Sequence, residues 1–355
     1  MVAGEFAVLE PNYHLIVMAV DRFVFTTIQD SEQNEVTLHD FELYQLQWEF
    51  VRNRVVFSSA DRRLSFVQDA IATTLTYLKE LNISPGKFNL SVRSELDDQE
   101  SGLKYGLGSS AAVVTSLITA ILTKFLDQPP SRDVIFKLAA ISHIKTQGNG
   151  SGADIAASTF GGVLNYTSFQ AEWLQEQLQT ETSLVNLIQK RWDYLSIQPV
   201  NFPAEVQVCI GWTGSPASTG NLVSRILKLR DSKPEEYDSF LNESSEAVQL
   251  ILDGMKSKQV DTFFTGIQQN REALAKLGEQ AKVEIETAQL NKLSVVAEKF
   301  SGVGKLSGAG GGDCGIAFIP ITTSCEQLHQ AWEAIGITPL HLNLYPHGSK
   351  QVKDE

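Results

Sequence analysis

Tyr105-Gly-Leu-Gly-Ser-Ser-Ala-Ala112 opens a long apolar helix, and the reading of this turn decides what kind of protein the chain makes. Behind it Val113, Val114, Leu117, Ile118, Ile121, Leu122 and Phe125 recur at helical spacing, which predicts a helix over Ser109–Phe125. Gly106 and Gly108 let the backbone bend sharply and approach a ligand, because no Cβ stands in the way. Ser109 and Ser110 fall at the helix start, where unpaired N–H groups and the positive end of the dipole face outward. The combination predicts an anion site, with phosphate as the anion.

Two other readings fit the same letters. Gly106-x-Gly108-x-x-Ala111 matches a dinucleotide fingerprint with Asp127 as its acid, but that motif needs a strand ending at the first glycine. The strand candidate before it, Phe88–Leu96, stops short, with polar Asp97–Ser101 between, and Asp127 directly follows the helix. The other reading is a Gly-Ser turn that merely caps a core helix. A G-x-x-x-x-G-K-[ST] sequence is absent from the chain, which excludes a P-loop enzyme.

The 355 residues suffice for two domains with substantial cores, and 43% hydrophobic with 20% charged residues is an ordinary globular balance. No apolar run reaches membrane-spanning length, and the first residues lack a basic-then-apolar signal pattern. Cys209, Cys314 and Cys325 are scattered without metal-like spacing, so reduced thiols in a cytoplasm are the expectation. A net charge of −13 argues against a nucleic-acid surface and requires any phosphate site to be locally basic.

Short apolar stretches at Ala7–Leu9 and His14–Val20, then Arg22–Gln29, Glu35–Phe41 and Tyr44–Phe50, predict an antiparallel sheet at the front of the molecule. Helices follow over Asp61–Leu81 and Asp133–Lys145, with the strand candidate Phe88–Leu96 between. The second helix runs into Gln147-Gly-Asn-Gly-Ser-Gly-Ala-Asp154, a loop with one carboxylate at its end. Gly161–Phe169 reads as a strand and Ala171–Trp192 as a polar helical stretch. Pro199 and Pro203 mark the connection between domains at 1–203 and 204–355.

The second half opens with a strand, Glu205–Trp212, and a Ser/Thr-rich turn, Thr213–Asn221. That turn introduces a helix over Leu222–Leu229 and is either a second anion site or a multiply capped helix. Helices are expected over Glu235–Lys256, Val260–Leu277 and Glu284–Phe300, and again over Cys325–Ala334. Strands are expected over Gly315–Ile319 and Pro339–Leu344. Gly308 to Gly312 holds four glycines in five residues, a run that lets backbone pass close to backbone or ligand.

Gly4-Glu5-Phe6-Ala7, Gly106-Leu-Gly-Ser-Ser-Ala-Ala112 and Ser307-Gly-Ala-Gly-Gly-Gly-Asp313, in that order, resemble the motifs of the galactokinase, homoserine kinase, mevalonate kinase and phosphomevalonate kinase (GHMP) superfamily. Within it the chain is most similar to bacterial phosphomevalonate kinases, through Lys104–Ser110, Asn149–Asp154, Gly211–Thr213 and Ser307–Gly315 as well. The resemblance implies an α+β, two-domain fold: an N-terminal domain of ribosomal protein S5 domain 2 type and a ferredoxin-like C-terminal domain. It implies ATP-dependent conversion of 5-phosphomevalonate to the diphosphate in isoprenoid synthesis, with Mg2+.

The same resemblance assigns roles. Lys104, Gly106, Leu107, Gly108, Ser109, Ser110 and Ala111 would hold the ATP phosphates, with Ser110 reaching the metal. Asp154 and Lys145 would be catalytic. Asn149, Ser151, Ser218, Thr219, Gly308, Ala309, Gly310 and Gly311 would face the substrate. His143 stands where mevalonate kinases carry a metal-binding acid, which implies one ligand fewer here. Relatives also carry about one more strand at the N-terminus, with a Gly-Lys-Leu segment whose lysine is thought to bridge the reacting phosphates. This sequence begins at Met1-Val-Ala-Gly-Glu, and a start codon assigned too late is the expected cause. A mevalonate kinase-like enzyme with an alcohol acceptor, and a non-catalytic ligand sensor on the same fold, are the rival functions.

Overall fold

The computed structural model describes residues 1–98, 101–216 and 219–352, without the side chains of Thr219 and Asn221. Up to the glycine turn the elements are β1 (His14–Met18), β2 (Val24–Asp30), β3 (Glu35–Leu38), β4 (Leu43–Val51), β5 (Arg54–Phe57), α1 (Ser65–Glu80) and β6 (Phe88–Ser94). The expected front sheet is realised with two corrections. Its order is β2-β6-β3-β4-β5, and β3 runs parallel to β6, because α1 and β5 intervene before β6 inserts between β2 and β3. Ala7–Leu9 is a single 3-10 turn, and β1 belongs to another sheet.

Next come α2 (Ser109–Phe125), α3 (Arg132–Gln147), α4 (Ala153–Phe160), β7 (Val163–Thr167), α5 (Ala171–Thr180), α6 (Leu184–Gln189) and β8 (Ser196–Val200). The central helix has its expected limits. Its apolar stripe of Ala111, Val114, Leu117, Ile118, Ile121 and Leu122 is fully buried, each larger side chain contributing about 1.5–3 kcal/mol. It packs between α1 and α3 and onto β2, which fixes its N-terminus at the edge of the sheet. The polar stretch Ala171–Trp192 is two helices, the second capped by Ser183 Oγ accepting from Asn186 N at 3.2 Å. Pro199 lies not in a connector but in β8, opposite Leu164. β8 is the edge of the sheet β1-β7-β8, where a missing N–H is tolerated.

The second half comprises β9 (Val206–Trp212), α7 (Thr219–Ser232), α8 (Pro234–Ser257), α9 (Val260–Ala281), α10 (Ala288–Glu298), β10 (Val303–Leu306), β11 (Cys314–Pro320), α11 (Cys325–Glu333) and β12 (Thr338–Leu340). The sheet order β10-β11-β9-β12, antiparallel at each pairing, is the ferredoxin-like order with its first crossover enlarged to α7–α10. β10 lies directly beneath α10, for a Cβ on Gly304 would meet Ser294 Cα at 2.7 Å. Cys209 on β9 and Cys325 at the start of α11 form a disulfide, which corrects the expectation of three reduced thiols. Their 116-residue separation hid a proximity that arises only when α11 packs over β9. Cys314 is the free, buried cysteine.

The predicted last strand ends at Leu340, and the chain beyond it runs back across the first half. Tyr345 N donates to Ala19 O at 3.0 Å, Gly162 N to Tyr345 O at 2.8 Å, and Ser349 N to Ser158 O at 2.9 Å. Val2, Ala3, Ile16 and Met18 share an apolar cluster with Trp212, Ile316 and Phe318, so the β1 sheet packs against the ferredoxin-like sheet. No helix among the described residues is long and apolar enough to cross a membrane.

Candidate active site

The glycine turn has the geometry that only glycine adopts readily: φ is 78° at Gly106 and 80° at Gly108. Gly108 is the N-cap of α2, no side chain caps that end, and the first helical bond is Ala112 N to Gly108 O at 3.1 Å. The N–H groups of Ser109, Ser110 and Ala111 are therefore without helical partners. This favours an anion site over a capped core helix. A dinucleotide turn is excluded, since β6 ends at Ser94 and the turn is reached through a loop.

A second arm comes from the α3–α4 connection. Gly148 ends α3 and Gly152 starts α4, both left-handed at φ 79° and 76°. Ser151 O accepts from Tyr166 OH at 2.5 Å and Ser168 Oγ at 3.0 Å, which fixes the approach to α4. Asp154 thus stands in the first turn of a helix, not at the end of a loop. It faces the glycine turn: a Cβ on Gly108 would lie 3.1 Å from Asp154 Cβ. Ser110 Oγ is 3.3 Å from His143 Nε2, and burial pushes that imidazole below the ordinary histidine value against the opposing charge of Asp154.

The third arm is the loop between β10 and β11. A Cβ on Gly310 would lie 2.2 Å from Ile285 O, and one on Gly106 would lie 2.5 Å from Asp313 Cγ. The two glycine-rich segments, two hundred residues apart, are therefore in contact. Thr213 N donates to Asp313 O at 2.9 Å, Asp313 N donates to Ser215 O at 2.7 Å, and Cys314 Sγ donates to Tyr105 O at 3.1 Å. Tyr105 meets Trp212 edge to face at 5.2 Å. Burial pushes the Cys314 thiol up to about 12, so it is a protonated donor here.

These arms border a cleft of about 1370 Å3. Among the described residues the cleft's cationic side chains are Arg22, Lys104, Lys124 and Lys350, against the carboxylates of Asp154 and Asp313, so positive groups outnumber negative ones along its lining in an acidic protein. Lys124 is held by Asp30 at 2.8 Å.

Of the expected residues, Lys104, Gly106, Leu107, Gly108, Ser109, Ser110, Asp154, Gly308, Ala309 and Gly310 line the cleft together. Ala111 is buried behind the turn, and Gly311 turns away toward Leu222. Lys145 is placed elsewhere: its Nζ donates to Thr73 Oγ1 at 3.4 Å on α1, where desolvation lowers its pKa against the pull of Asp69 and Glu80. Asn149 and Ser151 lie on the α3–α4 turn outside the cleft lining. Thr219 begins α7, and Ser218 lies outside the described residues. Sequence reasoning missed Asp313, Ser307 and the C-terminal segment through Tyr345, His347 and Lys350 as cleft residues. Asp313 had a signal, since it closes the glycine run; the C-terminal segment had none.

Comparison with known proteins agrees with this geometry. The GHMP kinases N terminal domain model matches residues 66–162, the span from α1 through α4. A phosphomevalonate kinase from Streptomyces sp. strain CL190 is 31% identical over 354 residues, covering 96% of this chain and 94% of the relative. The crystal structure of a Lin0012 protein from Listeria innocua superposes with a TM-score of 0.89 at 38% identity, covering 96% of this chain and 94% of that one. Streptococcus pneumoniae phosphomevalonate kinase, in complex with phosphomevalonate and AMPPNP, superposes with a TM-score of 0.83 at 25% identity, covering 96% of each chain. A left-handed glycine turn feeding α2, an acid at the head of α4, a glycine loop closing from a ferredoxin-like half, and near-complete alignment to one member place this chain in the GHMP kinase family.

Proposed function

We propose that the protein is a phosphomevalonate kinase, transferring the γ-phosphoryl group of ATP to the phosphate of (R)-5-phosphomevalonate to give 5-diphosphomevalonate. The observation that carries the reading is the meeting of the Gly106 turn with the Asp313 loop beside Asp154, in a chain that aligns end to end with a phosphomevalonate kinase. The N–H groups at the head of α2 hold the nucleotide phosphates, and Lys104 and Arg22 offset charge at the mouth. The Gly308–Gly310 backbone approaches the acceptor from the opposite wall. Asn149 and Ser151, which lie outside the cleft lining, and the α7 start at Thr219 are assigned to the acceptor side by the likeness to phosphomevalonate kinases alone.

A phosphate monoester has a second pKa of about 6 and is largely ionised at neutral pH, so its oxygen attacks without a general base. Asp154 therefore serves as an organiser of charge rather than as a proton acceptor. Mg2+ requires hard oxygen donors, and the Ser110 hydroxyl and Asp154 carboxylate on adjoining helix starts suit it. When bound it neutralises charge on the transferring group. His143 offers nitrogen and is left out of that set. Lys145 is left out of the chemistry because it reaches α1. ATP as donor fits a cytoplasmic setting.

The test is ADP release with phosphomevalonate, mevalonate, homoserine and galactose in parallel. Turnover with phosphomevalonate alone is expected. Turnover with mevalonate instead would make the enzyme an alcohol kinase. Nucleotide binding without turnover on any acceptor would make it a sensor.

A further inference from the structure

Among the described residues, phosphoryl transfer leaves one cluster of metal-ligating side chains unused. Cys209 is on β9, Cys325 opens α11, and His329 follows one turn later on the same face of that helix. Ligand atoms of the three lie within 4.8 Å of one another, and His329 Nε2 is 3.5 Å from Cys325 Sγ. Cys209 packs with Leu293, Leu328 and Trp332, whereas its neighbour Ile210 points to the cleft. Successive strand residues face opposite sides of a sheet, so this cluster and the catalytic cleft are on opposite faces of β9.

The donor set is specific. Two thiolates and an imidazole match a thiophilic, tetrahedral cation, and zinc takes sulfur at about 2.3 Å and nitrogen at about 2.0–2.1 Å. Those bonds give sulfur–nitrogen edges of about 3.5 Å, the separation already present between Cys325 and His329. The imidazole is stacked on Trp332 with ring centroids 5.9 Å apart and abutted by His341 at 5.1 Å. These ring contacts restrict the imidazole's orientation. Cys209 is 2% exposed and His329 8%, while Cys325 is half-buried, so the cluster is reached from the Cys325 side.

We propose that Cys209, Cys325 and His329 form a redox-gated site for one thiophilic divalent cation of the zinc class. In the oxidised protein the sulfurs are joined to each other and the site is closed. A dithiol reductant transfers two electrons and two protons to the disulfide, becoming a disulfide itself and leaving two protein thiols. Metal binding then releases those two protons and forms two sulfur–metal bonds, with His329 Nε2 as the third ligand.

Cobalt reports such a site directly. The protein is reduced with a phosphine under nitrogen, freed of metal and titrated with Co2+. One cobalt per chain is expected, with thiolate-to-cobalt charge transfer, tetrahedral ligand-field bands and displacement by Zn2+. Oxidised protein should show none of these. C325S, at a half-buried helix start that tolerates serine, should lose the charge-transfer band, and circular dichroism checks that it is folded. H329A should weaken binding at least about tenfold, since even residues that only orient a ligand cost that much. C314S should bind like wild type. Reduced protein that shows no charge transfer, or C325S that keeps it undiminished, would overturn the proposal. Wild-type affinity in H329A would overturn the three-ligand site.

Discussion

Replacing Gly106 by alanine tests whether contact between the two glycine-rich segments sets the catalytic geometry. The new Cβ would lie 2.5 Å from Asp313 Cγ and 2.6 Å from both Asp313 Cβ and Oδ2. Carbon atoms rest at about 3.5–4.0 Å, so one loop must move by about 1 Å. The φ of 78° adds about 1–2 kcal/mol of left-handed strain for a residue with a Cβ. A misplacement of about 1 Å among positioning groups costs about 100-fold in rate, and that is the expected fall in kcat. Gly102 supplies the control, because its φ of 68° carries the same strain while nothing lies within 4 Å of its added Cβ. G102A should turn over like wild type in the ADP-release assay, and both variants should give wild-type circular dichroism. If G106A is as active as G102A, the contact between the loops does not govern the chemistry.

Other outcomes follow from the same geometry. Asp154→Asn should lower kcat by about 100- to 1000-fold while nucleotide affinity, read by calorimetry with AMPPNP, changes little. Lys104→Met should raise the phosphomevalonate KM more than the ATP KM, whereas Lys145→Met, whose head contacts Thr73, should leave kcat near wild type. Glu5→Gln should cost about 3–5 kcal/mol in denaturant unfolding, because Lys305 Nζ sits 2.6 Å from Glu5 with both side chains buried. The double variant Glu5→Leu, Lys305→Met should recover part of it. Burial holds His143 below its ordinary value, so between the folded and unfolded pKa values the unfolded chain binds the extra proton. Stability should rise with pH through that window and fall as pH drops below about 6.5, with the slope reduced in His143→Asn melting curves.

The sequence made the site's glycines legible and much of the fold with them. Ser109–Phe125 reads correctly because its apolar residues follow one helical stripe behind an unmistakable turn. The short strands β5 and β10 did not read. β5 alternates in burial, but its letters Arg-Val-Val-Phe hide this because Val56 is exposed, and β10 is Val-Gly-Lys-Leu buried along its whole length, so neither sequence shows an alternating face. Pro199 misled because proline marks linkers more often than edge strands. Lys145 matched a basic position in the motif, yet its place on α3 directs it toward Thr73, a fact that depends on α1 packing. The disulfide and the returning C-terminal segment depend on tertiary packing that leaves no local trace.

What the scattered motifs share is a common junction. Gly4 is pressed against β1, where a Cβ would lie 2.3 Å from His14 O, and this aims Glu5 at Lys305. Lys305 stands two residues before Ser307, and Ser307 Oγ accepts from the Met1 nitrogen at 2.8 Å. From there the loop carries Asp313 to Gly106, while Cys314 bonds the carbonyl of Tyr105. Each motif thus secures a different side of the boundary between the two halves, and none forms a site alone. An ion pair buried at 2.6 Å is costly to desolvate and is weak evidence for stability by itself. Its place beneath the glycine loop gives it a positional consequence: with Glu5 neutralised, Lys305 must move toward water and carry the loop's base with it. Loss of the pair should therefore appear in kcat as well as in unfolding free energy, whereas a pair serving stability alone would leave kcat unchanged in the folded fraction.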